Sequence, residues 1–146
     1  MGPQKNNGEI YQDNRGSLKF FNNFDLKLTR RFYIIEHENI EIVRAWQAHQ
    51  KEQKWFVILE GSFKIVLVKL DHWDSPSKDL PIQEFILDSD KNDILHVPEG
   101  YATGLQANAP NSKLMVFSDF TLEESANDDF RFDKELWYNW NITNKN

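Results

Sequence analysis

Lys54-Trp55-Phe56-Val57-Ile58-Leu59-Glu60-Gly61-Ser62-Phe63-Lys64-Ile65-Val66-Leu67-Val68-Lys69-Leu70 holds two short runs of β-branched and aromatic residues, separated by a glycine. Runs of this length and composition read as strands. Gly61 accepts positive φ readily, so Glu60-Gly61 is expected to close a β-hairpin between strands 54–59 and 63–70. In 63–70 one face carries Phe63, Ile65 and Leu67 and the other Lys64, Val66 and Val68. A strand apolar on both sides is covered on both sides. A sheet shared with a second protomer is the expected cover, and a terminal segment folded over that face is the alternative.

Working outward, similar short runs recur at 18–21, 31–36, 42–48, 82–87, 93–97, 103–107 and 113–119. Turn residues punctuate them. Residues 71–81, with two prolines and several polar side chains, read as a loop, and Pro98-Glu99-Gly100 as a tight turn. This spacing predicts an all-β sandwich or barrel. At 146 residues with 14% aromatics, the chain has the length and apolar volume for one core. There is no internal repeat and no composition break, so residues 9–141 are expected to form a single domain. Residues 1–8 and 144–146 are polar and expected to fray. Residues 130–140 are rich in aromatics and are expected to form a short helical turn packed on the barrel or on a second subunit.

The formal net charge of -6 argues against nonspecific nucleic-acid binding, which draws on Lys and Arg neutralising phosphates. A small anionic ligand is still compatible, given a local basic cluster. No segment has the signal-peptide pattern, and no apolar run approaches the roughly 18 residues of a membrane span. A cytoplasmic location is the resulting expectation. With no Cys, disulfides, thiol catalysis and thiolate metal sites are excluded.

The chemistry concentrates in Val43-Arg44-Ala45-Trp46-Gln47-Ala48-His49, which sets a cation and an imidazole on one strand. Cupin β-barrels carry a first motif of Gly, His-x-His and a downstream Glu, and a second of Pro-x-Gly followed by His. Here the counterparts are Gln47-Ala48-His49 and Pro98-Glu99-Gly100-Tyr101-Ala102-Thr103, with Thr103 where the second-motif His would fall. His49 with Glu52 is short of the three or four converging ligands of a nitrogen and oxygen metal site, so no metal is expected.

The chain resembles metal-free cupins that act on nucleotide-linked 4-keto-6-deoxy sugars, and the resemblance covers nearly its whole length. Asp13-Asn14-Arg15-Gly16 is similar to the Asp-x-Arg-Gly opening of dTDP-4-keto-6-deoxyglucose 3,5-epimerases, whose Arg contacts substrate. Arg31-Phe32-Tyr33-Ile34-Ile35, Arg44-Ala45-Trp46-Gln47-Ala48-His49 and Gly61-Ser62-Phe63 look like segments of the dTDP-sugar 3,4-ketoisomerases. Asp128-Asp129-Phe130-Arg131-Phe132-Asp133 resembles their Asp-Tyr-x-Arg-Asp-Tyr close. Gln47 departs from both groups, standing where each has a His. Ala45 replaces a Gly.

The resemblance implies a cupin (jelly-roll) barrel, a homodimer, no cofactor and an isomerase. The expected reaction is epimerisation at C3 of a nucleotide-linked 4-keto-6-deoxyhexose, carried by dTDP or CDP, toward surface polysaccharide such as the O-antigen of lipopolysaccharide. Ketone migration from C4 to C3 and 3,5-epimerisation are the alternatives within catalysis. A noncatalytic sugar-nucleotide-binding cupin is the alternative outside it.

His49 is the candidate base for the C3 proton, which the C4 ketone acidifies, because imidazole titrates near neutrality. A buried, hydrogen-bonded structural histidine is its competing role. Tyr33 is the candidate acid returning the proton to the other face, and an ordinary core aromatic is its competing role; Tyr101 is the reserve. Arg15, Arg44 and Lys54 are candidates for holding the enolate and pyrophosphate charges, with Gln47 and Tyr101 in substrate binding. Cross-strand pairing with Glu52 or Glu60 is the competing role of Arg44 and Lys54. His37 reads as part of a charged turn, His72 as a loop residue and His96 as structural.

Overall fold

The structure is a computed structural model and describes residues 2–141. Among these residues twelve strands form two five-stranded antiparallel sheets and one separate hairpin. The first sheet runs in the order β1 (Gln4–Asn7), β9 (Asp93–Val97), β6 (Lys54–Glu60), β11 (Ser112–Ser118), β4 (Arg31–His37). The second runs β12 (Phe130–Arg131), β5 (Val43–His49), β10 (Tyr101–Ala107), β7 (Ser62–Lys69), β8 (Ile82–Asp88). Among the described residues β2 (Glu9–Asp13) and β3 (Gly16–Phe20) pair only with each other. All nine strands read from the sequence are present, most with ends shifted by one or two residues.

Period-two alternation sorts the side chains. Phe56, Ile58, Leu95, Leu114 and Val116 of the first sheet meet Phe63, Ile65, Leu67 and Leu105 of the second in the main core. Burying each such side chain stabilises the fold by roughly 1.5–3 kcal/mol. On the outer face of the first sheet Trp55, Val57 and Ile94 pack under Phe21 and Phe24.

The turn at Gly61, where φ is 78°, forms as expected, but not as a hairpin. β6 pairs with β9 and β11, and β7 with β8 and β10. Gly61 therefore carries the chain across the core from one sheet to the other. The Pro98-Glu99-Gly100 turn makes a second crossing in the same sense, from β9 of the first sheet to β10 of the second, with Gly100 at φ 91°.

The expected protomer-shared sheet gives way to the alternative. Val66 and Val68 are buried, with Trp46, Ala48 and Ala102, under Phe130, Phe132, Leu136, Trp137, Tyr138 and Trp140 of the same chain. The apolar outer face of β7 thus argues for the C-terminal segment as its cover, not for a second protomer.

The C-terminal aromatics pack on the barrel as expected, but not from a helical turn. The helix lies earlier, as α1 (Leu122–Ala126), where Thr121 and Glu124 form a reciprocal capping box. From Phe130 the backbone instead finds partners along β5: Phe130 is opposite Ala48, and Trp46 and Phe132 exchange N–H to carbonyl bonds of 3.1 and 3.2 Å. At the other end Gln4–Asn7, expected to fray, is strand β1 paired with β9. All four of its residues are exposed, so only the edge of β9 accounts for the strand. Among the described residues no helix is long and apolar enough to cross a membrane.

Candidate active site

The two sheets part along the β4 and β5 edges. Arg31, Tyr33 and Ile35 of β4 alternate inward against Arg44 and Gln47 of β5 and Lys54 and Phe56 of β6, and together they line a cavity of about 790 Å³. The helix α1 and the segment after it close one side through Ser125, Asp129 and Arg131. The opposing register places Gln47 beside Thr103 and, past a bulge, Arg44 beside Leu105, so both side chains share the inward face.

Among the described residues four cationic side chains line this cavity, Arg31, Arg44, Lys54 and Arg131, against two carboxylates, Glu36 and Asp129. A local positive excess thus sits within a chain of net charge -6. Asp129 takes Arg131 at 2.7 Å, and that guanidinium holds its carboxyl below the usual carboxylate range. Arg31 reaches Glu52 at 3.3 Å. Lys54 is buried and donates to the Gln47 amide oxygen at 3.1 Å, while the Gln47 amide donates to Asp129 at 3.2 Å. Tyr33 lies between cations, 5.1 Å from the Arg31 guanidinium and 5.9 Å from the Lys54 ammonium, measured to its ring centre.

His49 is 5% exposed and is not among the described residues lining the cavity; Gln47, two positions before it, and Lys54, whose charge acts on its ring, are. Nδ1 of His49 lies 2.6 Å from the Asp128 carbonyl oxygen. A carbonyl only accepts, so the neutral ring carries its proton on Nδ1 and presents a lone pair at Nε2. Nε2 is buried and has no hydrogen-bond partner among the described residues. Burial, and then the positive charge of Lys54, push the imidazole below the ordinary histidine range, against the pull of Glu52 and Asp128. The result is an oriented, neutral base beside an ammonium.

A scaffold of buried polar groups fixes this geometry. The Asp128 carboxylate accepts the N–H groups of Gln50, Lys51 and Glu52, each at 2.9 Å, and so pins the turn after His49 to the chain that holds its ring. Glu52, 2% exposed, accepts from Ser118 at 2.5 Å and from Ser125 at 2.6 Å, and its Oε1 is 3.3 Å from His49 Nδ1. Glu52 is thereby committed to the fold. Among the described residues no three His, Asp or Glu side chains converge as metal ligands do.

Of the residues selected from the sequence, Tyr33, Arg44, Gln47 and Lys54 share the cavity wall, and His49 lies outside the lining with the Lys54 charge acting on its ring. Two others are placed elsewhere. Arg15 occupies the β2–β3 turn, 84% exposed, with its guanidinium 2.7 Å from Asp13 of the same turn, and it does not line the cavity. Tyr101 is buried in the main core, opposite His49 in register but outside the cavity lining. The sequence had left Arg31, Asp129 and Arg131 without a role, and alternation from Tyr33 would have turned Arg31 inward.

These features define a cupin-type two-sheet β-barrel with a cation-lined cavity open at its side. The chain belongs to the FdtA family (WxcM-like, C-terminal), whose model matches residues 6–137. Among solved structures it is similar to a 3,4-ketoisomerase from Helicobacter canadensis, at 24% identity and TM-score 0.70 over 90% of this chain and 92% of that one. It is similar also to dTDP-4-dehydrorhamnose 3,5-epimerase from Bacillus anthracis, at 20% identity and TM-score 0.73 over 94% and 84%. A third is a sugar 3,4-ketoisomerase from Thermoanaerobacterium thermosaccharolyticum in complex with TDP, at 20% identity and TM-score 0.69 over 90% and 88%. At these identities the likeness shows the shared fold. No curated protein matches the chain.

Proposed function

We propose that the protein is an isomerase of a nucleotide-linked 4-keto-6-deoxyhexose and that it inverts C3. The observation that carries this reading is the pairing of a neutral, oriented His49 with the buried Lys54 ammonium beside a cationic cavity. His49 Nε2 takes the C3 proton, and the electron pair of the broken C–H bond moves into the C4 carbonyl to give an enolate. Lys54 stabilises the oxyanion, in surroundings where a fixed charge counts for more than in water. Tyr33 returns a proton to the opposite face of C3 and is reprotonated as His49 releases its own, so no atom is gained or lost. The diphosphate takes the remaining cationic charge of the wall.

A second reading is ketone migration from C4 to C3, favoured by the likeness to two structures described as 3,4-ketoisomerases. The proton removed from C3 would then return to C4. Its weakness is Gln47, an amide that cannot move a proton between the two oxygens as an imidazole can.

Proton NMR of the protein with dTDP- and CDP-4-keto-6-deoxyglucose in D₂O separates these outcomes. Deuterium entering C3 with a new epimer supports the proposal. Exchange at C3 and C5 makes it a 3,5-epimerase, and a carbonyl moved to C3 makes it a ketoisomerase. Binding without exchange of either substrate makes it a noncatalytic sugar-nucleotide binder.

A further inference from the structure

His37 ends β4 at 1% exposure, with its ring 5.1 Å from that of Phe63. From the facing sheet, Arg44 Nε donates to His37 Nε2 at 3.1 Å. A guanidinium only donates and does not deprotonate in proteins, so Nε2 must be a lone pair and the imidazole must be neutral. Burial, then the Arg44 charge, push His37 below the ordinary histidine range, in the same sense. Its Nδ1 has no partner among the described residues, so the ring does not serve to satisfy the surrounding fold.

The other arginines near the site differ. Arg31 is paired with Glu52 and Arg131 with Asp129, and each pair cancels most of its own charge. Arg44 lines the cavity with no carboxylate in ion-pair distance among the described residues. Its anchor is an uncharged ring. Along β5, Arg44 lies three residues from Gln47, across the bulge, so the two side chains occupy successive places on the cavity wall.

We propose that His37 is a positioning residue that tethers Arg44 across the two sheets while leaving its full charge for the diphosphate of the ligand. This rests on the cavity being the sugar-nucleotide site. A carboxylate in the same place would hold Arg44 equally well and would cancel the charge that the ligand needs. An apolar side chain would leave the charge intact but unplaced.

The test is calorimetric binding of TDP and of inorganic pyrophosphate over a NaCl series, to the wild type and to His37→Gln, His37→Leu and His37→Glu. Circular dichroism and thermal melts confirm that each variant is folded. The glutamine keeps an uncharged acceptor and should hold affinity within about 2-fold, whereas the leucine should lose about 10-fold or more, the scale of a hydrogen bond to a charged group. The glutamate should bind more weakly still, with a shallower salt dependence. A folded His37→Leu that binds both ligands as the wild type does would overturn the role of His37. A wild type that binds neither ligand would overturn the sugar-nucleotide reading of the cavity and remove the ligand of this proposal with it. ¹⁵N NMR of the His37 ring keeps the two failures apart: loss of the lone-pair Nε2 signature in Arg44→Met establishes the tether without any ligand.

Discussion

At the scale of single residues, the proposed reaction turns on the protonation state of His49. The Asp128 carbonyl fixes the tautomer, and burial with the Lys54 charge keeps the ring neutral below the ordinary histidine range. The base form is therefore present at neutral pH and persists on mild acidification, so kcat/KM should fall only once pH drops below the usual imidazole value. A pH profile checks this, and Lys54→Met should move its acid limb upward, because it removes a charge that opposes protonation. His49→Asn should lower kcat by about 10²- to 10⁴-fold with KM held within a few-fold. Part of this site is legible in the strand alternation: Tyr33 and Lys54 fall on inward positions, whereas Arg44 and Gln47, three residues apart, share the inward face only through the bulge between β5 and β10, which alternation does not show. Arg15 is not placed in that way, because the motif around it is a local turn in which Asp13 takes its guanidinium. His37 is missed by reading β4 as ending at Glu36; one more residue of alternation after Arg31, Tyr33 and Ile35 turns it inward. The Asp128 and Glu52 scaffold spans 76 positions of sequence and has no local signature.

At the scale of elements, the closest fit is between β10 and the C-terminal segment. Gly104 has no side chain because Trp140 and Trp46 fill that space: a Cβ there would lie 2.5 Å from Trp140 Cζ2 and 2.9 Å from Trp46 Cζ3. Gly104→Ala should therefore destabilise the protein by about 1–3 kcal/mol through overpacking, and Trp140→Ala by about 3–5 kcal/mol through the cavity it leaves. Because the two sites touch, the double variant should fall short of the sum, which denaturant melts of all four proteins measure directly. The strands themselves were legible, since β-branched and aromatic runs report burial in a pleated sheet wherever they occur. Their pairing was not. Sequence adjacency suggests that β6 and β7 form a hairpin, whereas β6 pairs with residues 37 to 64 positions away and β7 with residues 14 to 44 positions away, leaving Gly61 as the crossing between sheets. β1 and β2 escaped notice because exposed edge strands and isolated hairpins bury nothing and so show no apolar period. The cover of β7 was expected from a second protomer and comes from the C-terminal segment, since two-sided apolarity demands a cover without naming it.

At the scale of the whole molecule, the buried imidazoles make the fold itself sensitive to acid. His37, His49 and His96 are all held below the ordinary histidine range, with burial the leading cause in each. In the unfolded chain these rings titrate near their usual value, so on acidification the unfolded state takes up protons that the folded state refuses. Stability must then rise with pH across that interval, because the unfolded chain binds more protons there. It is complete above the unfolded histidine value, is lost as pH falls from that value toward the folded ones, and levels off below them. The carboxylates act lower. Asp129, held down by Arg131, and Asp71, held down to about 2 by Ser77, keep their contribution until pH falls to the usual carboxylate value and lose it below that, and Asp71 lies at the surface, so its share is small. Asp119 works in the opposite sense, since burial raises it and its protonation favours the folded state. Calorimetric melts in matched ionic strength should therefore show the melting temperature falling in a first step as pH drops below the usual histidine value of about 6.5, and in a second as it drops below the usual carboxylate value of about 4. His49→Asn, which retains a side-chain amide near the Asp128 carbonyl, should flatten the first step and leave the second unchanged. A first step of undiminished size in that variant would assign acid sensitivity to His37 and His96, the imidazoles outside the base position.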